Sequence, residues 1–134
     1  MNDPVLHIKL REWADAVVVA PLSAHTLAKI ATGLCDDTLT CVLRAWDFRQ
    51  KKLPQKGKPI VLAPAMNTAM WEHPLTQSQL KTIQKFGTDE NNEINCPIAI
   101  VAPQVKTLAC GEVGNGALAS TIDVVTITRD LMNE

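Results

Sequence analysis

The chain has 134 residues, 46 % of them apolar, and a formal net charge of -1. That length suits one domain over residues 1–134 with a sizeable core. No run of Lys or Arg exceeds a pair, so nothing in the charge points to nucleic acid or an anionic membrane as a partner. The longest apolar run, residues 16–22, is far too short to span a bilayer, and the mixed, charged residues 1–12 do not make a signal peptide.

Four cysteines, Cys35, Cys41, Cys96 and Cys110, show no C-x-x-C spacing and no clustering with His. No metal site is expected from such a set. The pattern reads as an intracellular, cytoplasmic protein with reduced thiols. Cys35, Cys41 and Cys96 read as small buried hydrophobes.

In chain order, Ala16 to Pro21 (AVVVAP) is a β-branched apolar run, the mark of a strand buried on both faces. Ser23 can cap a helix in which Leu27, Ile30, Ala31 and Leu34 recur at helical spacing, with Gly33 as terminator. Asp36 or Asp37 can cap a second helix with an apolar stripe of Leu39, Val42, Leu43 and Trp46. Residues 49–58 read as a solvated basic loop broken by Pro54 and Gly57. Pro59 to Pro64 (PIVLAP) is a second buried strand, and Thr76 to Phe86 an amphipathic helix ended by Gly87. A polar loop over 88–95 leads to a third short strand at Ile98–Val101. Residues 106–119 are glycine-rich with no clear period, and Ile122 to Met132 forms a last helix. Strands alternating with helices imply an α/β fold with a mainly parallel sheet. Three strands are few for such a sheet, and no strand and helix precede the Val5–Ile8 stretch, so the sequence reads as truncated at its start.

Ligands of open α/β sheets bind at the carboxyl ends of strands, and two strand ends here carry unusual segments. After the first comes Ala20-Pro-Leu-Ser-Ala-His-Thr26, with hydroxyls and backbone N–H groups at a helix start. After the second comes Pro64-Ala-Met-Asn-Thr-Ala-Met-Trp71. One helical turn there puts Asn67 and Met70 on the same side, and an Asn amide can hold a carboxylate. Taken alone, Ser23 is a helix cap, and Asn67, Met70 and Trp71 are a turn residue with core neighbours. A third segment, Leu108-Ala-Cys-Gly-Glu-Val-Gly-Asn-Gly-Ala117, has three glycines in six residues. Such a segment suits a flap or a backbone held close to a ligand, where Cys110 can act as an acid or nucleophile. His7 lies in an alternating stretch in which a surface His would be unremarkable.

Together these segments resemble the phosphopantothenoylcysteine decarboxylases, within the homo-oligomeric flavin-containing Cys decarboxylase family. Pro64–Trp71 resembles their P-x-M-N-x-x-M-W signature, and Leu108–Ala119 their Cys-containing flap. Asp3–Ile8 with Trp13-Ala-Asp15 resembles the stretch carrying their active-site His, and Ala20–Thr26 their A-P-L-S-A-N-T flavin segment. The matches run in one order over about Asp3–Asp130. The resemblance implies a flavodoxin-like, Rossmann-like three-layer sandwich and a homotrimer, or a mixed trimer, with active sites between subunits. It implies that FMN serves the decarboxylation of (R)-4′-phospho-N-pantothenoyl-L-cysteine to 4′-phosphopantetheine in coenzyme A synthesis. In it, Ser23, Ala24, His25, Thr26 and Ala65 line the FMN. Asn67, Met70, Thr107, Leu108 and Ala109 meet the substrate. His7 is the base or thiolate stabiliser, and Cys110 is the proton donor.

Three departures stand out: His25 in place of the usual Asn, Thr107 in place of a basic residue common among relatives, and no N-terminal phosphate loop. Relatives that act on peptidyl cysteine, and others that regulate a protein phosphatase, give the alternative readings. The chain keeps His7, Asn67, Met70 and Cys110, which favours the enzyme.

Overall fold

The computed structural model describes residues 5–48, 57–107, 111 and 113–133. Among them the elements run α1 (Leu6–Trp13), β1 (Val17–Leu22), α2 (Ala24–Thr32), α3 (Thr38–Arg44), β2 (Ile60–Pro64), α4 (Thr68–Trp71), α5 (Pro74–Phe86), β3 (Ile98–Ile100), β4 (Gln104–Thr107), β5 (Val113–Ala117) and α6 (Thr121–Met132). The apolar runs form a parallel sheet in the order β1-β2-β3. Val17, Val18 and Val19 lie opposite Ile60, Val61 and Leu62, which in turn face Ile98, Ala99 and Ile100. The α/β, flavodoxin-like reading is met.

Because side chains alternate along a strand, β2 feeds two cores. Ile60 and Leu62 point to one face, where they join Val19, Leu22, Leu27, Leu43, Leu80 and Ile83. Val61 and Ala63 point to the other and meet Val124, Ile127 and Leu131 of α6. A cavity of about 430 Å³ opens on the first face, between Ile30, Leu43, Leu62 and Ile83. Phe48 and Phe86 stand in its wall in edge-to-face contact, ring centroids 6.1 Å apart.

Helix ends follow local chemistry. The Ser23 hydroxyl accepts from Thr26 N at 3.1 Å, and Gly33 at φ +81 closes α2. Asp37 caps α3 through a reciprocal box with Thr40, and Ser120 caps α6. The start of α5 is earlier than the periodicity indicates, because His73 Nδ1 accepts from Leu75 N at 3.1 Å and Pro74 takes the first turn.

Four expectations change. The Val5–Ile8 stretch is helical, as the start of α1: Leu10 and Ala14, four apart, pack on the core, while Val5 offers no side-chain cap to announce the start. β1 continues through Pro21 to Leu22, which an edge strand tolerates because Pro21 owes no ladder N–H on its open side. The basic loop does more than face solvent at its end, since Lys58 Nζ donates to Arg11 O at 2.9 Å and Glu12 O at 3.1 Å, closing α1; residues 49–56 lie outside the described residues. Finally, of the three described cysteines only Cys96 is fully buried. Cys41 is half-buried and Cys35 is exposed in the turn that leaves α2. Burial pushes the Cys96 thiol up to about 12, and it donates to Lys58 O at 3.0 Å.

Candidate functional site at the carboxyl ends of the strands

β1 and β2 deliver their following segments side by side: Ala65 N donates to Leu22 O at 3.0 Å. Ser23 and His25 are exposed, and Ala24 and Thr26 half-buried, at the first turn of α2. The Ser23 and Thr26 hydroxyls lie 3.2 Å apart. A nine-residue helix start with two hydroxyls presents backbone N–H groups and a positive dipole end to whatever sits above it.

The second strand end is more telling. Asn67 is the N-cap of the short helix α4, and its Oδ1 accepts from Ala69 N at 2.8 Å. That bond uses the acceptor half of the amide and leaves the NH₂ group, with no partner among the described residues, on an exposed side chain. Met70, 50 % exposed, lies beside it, while Trp71 and Met66 turn inward onto the core. The Thr76 hydroxyl, buried, donates to Met70 O and so ties α4 to the start of α5.

The glycine-rich segment is more ordered than its composition suggests. β4 and β5 pair antiparallel, with Thr107 opposite Val113, and this arm docks on the segment after β2. Met66 N donates to Gly116 O at 2.9 Å, and Asn115 N to the Thr68 hydroxyl at 3.4 Å. A Cβ on Gly116 would lie 1.9 Å from Met66 O, so only glycine permits this approach. Asn115 Oδ1 is buried and has no hydrogen-bond partner among the described residues. A buried amide oxygen left without a donor is costly, and one beside the segment that follows β2 fits a ligand that brings an N–H or O–H.

The structure thus gathers Ser23, Ala24, His25, Thr26, Ala65, Asn67 and Met70 with the β4–β5 arm. Thr107 stands exposed at the arm's outer end. Leu108, Ala109 and Cys110 lie outside the described residues. His7, half-buried at the start of α1, is not drawn into the group. Its helix packs principally on α3, and none of the hydrogen bonds that join the group reaches it. Asn115 and Thr68 are the site residues that the sequence did not single out. The glycine after Asn115 was the available signal, since Gly116 holds the backbone against Met66 O and so fixes the strand that carries Asn115.

The Flavoprotein family profile matches residues 1–133. The chain is 52 % identical over 125 residues to a phosphopantothenoylcysteine decarboxylase of Oryza sativa subsp. japonica, covering 92 % of this chain and 49 % of that protein. It is 46 % identical over 133 residues to one of Mus musculus, covering 99 % and 56 %. It therefore spans about half the length of the curated relatives it matches. Among solved structures, a cysteine-to-serine mutant of PPC decarboxylase complexed with pantothenoylaminoethenethiol superposes with a TM-score of 0.79 at 44 % identity, over 100 % of this chain and 64 % of that one. The FMN binding protein AtHal3 gives 0.75 at 44 %, over 100 % and 63 %.

Proposed function

The chain belongs to the Flavoprotein family, and from that premise we propose that it takes part, with FMN, in decarboxylating (R)-4′-phospho-N-pantothenoyl-L-cysteine to 4′-phosphopantetheine for coenzyme A synthesis. The observation that carries the reading is Asn67: an exposed amide at a strand end whose oxygen is spent on a helix cap and whose NH₂ meets no partner among the described residues.

Bound FMN supplies a reversible two-electron acceptor, which gives the substrate's cysteine unit an electron sink for CO₂ loss with no net redox change. Ser23, Ala24, His25, Thr26 and Ala65 are the residues that hold it. The hydroxyls and backbone N–H groups at the start of α2 suit a polar ring edge, and the orphaned Asn115 oxygen suits a ring or substrate N–H. Asn67 donates to the substrate carboxylate. Met70, Thr107, Leu108 and Ala109 border the substrate, and Cys110 protonates the carbon that lost CO₂. His7 accepts a proton or steadies a thiolate. Its distance in packing terms from the Asn67 group supports a homotrimer in which α1 of one subunit serves its neighbour's site, in the cytoplasm, where free thiols persist.

The test is anaerobic mixing of the protein with FMN and substrate, followed by flavin absorbance and product mass. Product 4′-phosphopantetheine and competition by unlabelled substrate support the proposal. Decarboxylation of a peptide with a C-terminal cysteine in preference to that substrate would move the chain to the peptidyl class. Failure to bind FMN would overturn both.

A further inference from the structure

The turn between α2 and α3 holds two cysteines that the site above does not use. Cys41 Sγ donates to Cys35 O at 3.3 Å, so the thiol of one residue rests on the backbone of the other. Burial raises the Cys41 thiol first, and the adjoining Cys35 thiol adds to it. Cys35 is exposed.

The pair is held in place by bonds that involve no sulfur. Before Cys35, Leu34 N donates to Lys29 O at 3.0 Å. Between the cysteines, Lys29 Nζ meets Asp36 Oδ1 at 2.8 Å and Asp37 Oδ2 at 3.6 Å. Before Cys41, the Asp37–Thr40 box fixes the start of α3, and Cys41 N donates to Asp37 O at 2.9 Å. A turn tethered on both sides keeps the Cys41 thiol against Cys35 without having to be ordered first.

We propose that Cys35 and Cys41 form a reversible intramolecular disulfide when a small-molecule disulfide such as oxidised glutathione is the oxidant. Exposed Cys35, as thiolate, attacks one sulfur of the oxidant and releases one thiolate, leaving a mixed disulfide on Cys35. Cys41, as thiolate, attacks the Cys35 sulfur and releases the second. Two protein thiols are oxidised to one disulfide and the oxidant is reduced to two thiols. Leu34 and Thr40, the residues just before each cysteine, line the cavity on this face, so the bond staples two parts of its wall.

The experiment incubates the whole chain with oxidised glutathione, blocks remaining thiols with N-ethylmaleimide, and maps peptides by mass. The expected result is a Cys35–Cys41 link with no retained glutathione, full reversal by dithiothreitol, and a melting temperature higher by ~5 °C in the linked form. Cys35→Ser should leave Cys41 unmodified, and Cys41→Ser should stop at glutathione on Cys35; neither replaces a fully buried side chain, and circular dichroism checks their folding. Wild-type protein that keeps glutathione on Cys35, or that links Cys35 to Cys110 instead, overturns the proposal. Cys110→Ser separates that last outcome, because the Cys35–Cys41 link must survive it.

Discussion

β1 and β2 are nearly the same peptide, Val17-Val-Val-Ala-Pro21 beside Ile60-Val-Leu-Ala-Pro64, and they pair in register from Val17 opposite Ile60 to Val19 opposite Leu62. Yet every residue of β2 is buried, whereas β1 buries only Val19 and Leu22 and leaves Val18 41 % exposed. Position makes the difference. β2 lies between β1 and β3, with α6 packed over Val61 and Ala63. β1 lies at the edge of the sheet among the described residues, and Val18 is not part of the core that α6 forms with Val61 and Ala63. Five residues can dictate a strand; they cannot dictate its covering. The same holds for the segments after the strands. Both strands carry Ala-Pro at or next to their ends and lead to a side-chain cap, Ser23 or Asn67, but the hydrogen bonds of the β4–β5 arm go to the segment after the second.

The largest expected contrast is therefore chemical. Asp at position 67 keeps an oxygen to cap α4, so the fold should survive. The new carboxylate, however, would repel the substrate carboxylate that Asn67 is proposed to hold. Asn67→Asp should lower kcat/KM for the phosphopantothenoyl substrate by roughly 100-fold, or about 2.7 kcal/mol, with an unchanged melting temperature. A variant that melts early and keeps its specific activity would make Asn67 a helix cap and nothing more.

Next comes a matched pair. Val18 and Val61 face each other across the ladder. Val61→Thr puts a hydroxyl into a dry core and should cost about 2 kcal/mol in urea unfolding. Val18→Thr should stay within ~0.5 kcal/mol. Equal costs would mean that the open face of β1 is covered in solution, and the concentration dependence of the Val18→Thr midpoint would then tell whether a second copy covers it.

A smaller effect belongs to the arm that docks on the segment after β2. Asn115→Leu removes an acceptor that has no donor among the described residues, so stability should hold or rise slightly. If the oxygen meets a ligand, affinity for FMN or substrate should fall by roughly 5-fold, the value of one ordinary hydrogen bond. A destabilised variant with unchanged affinities would give Asn115 a structural partner instead.

Legibility in the sequence divides along the same line. The strands read at Ala16–Pro21 and Pro59–Pro64, the α2 and α3 caps and the Gly33 stop were readable, to within a residue at the strand ends, because each rests on neighbours in sequence. Helix α1 was not: Val5 gives no cap, and the stripe of Leu10 and Ala14 is only two residues long. The hairpin pairing β4 with β5 was hidden because Gly116 serves a close approach to Met66, a contact fifty residues away in sequence. Exposure of Cys35 was equally invisible, since a thiol's burial depends on the turn that carries it. In the site, Ser23, Asn67 and Met70 were readable as strand-end residues. The separation of His7 from them depends on how α1 packs, and Asn115 on a docking no local pattern encodes.

The smallest expected effect compares the turns that close the two strand–helix units. Asp37 comes after β1 and α2, and Asp89 after β2 and α5. The Thr40 backbone N–H, then the Thr40 hydroxyl, and more weakly the Lys29 ammonium hold the Asp37 carboxyl below its usual range. Asp89 is held low mainly by the backbone N–H groups of Glu93 and Asn91, at 2.9 and 2.8 Å. Both carboxyls bind a proton more readily unfolded than folded. Their contribution to stability is therefore fully present above the unfolded carboxylate pKa, near 4, and drains away as pH falls through the lower folded values. Urea midpoints between pH 6 and pH 2 should decline below about pH 4, and Asp37→Asn or Asp89→Asn should flatten part of that decline. Salt separates the two turns. Screening reaches the Lys29–Asp37 contact only from its half-exposed Asp37 side, since Lys29 is buried, so the Asp37 part should shrink slightly in 1 M NaCl, while the Asp89 part, which rests on hydrogen bonds, should persist. If both parts respond equally to salt, the Asp89 turn is held by charge and the contrast between the two units fails at this point.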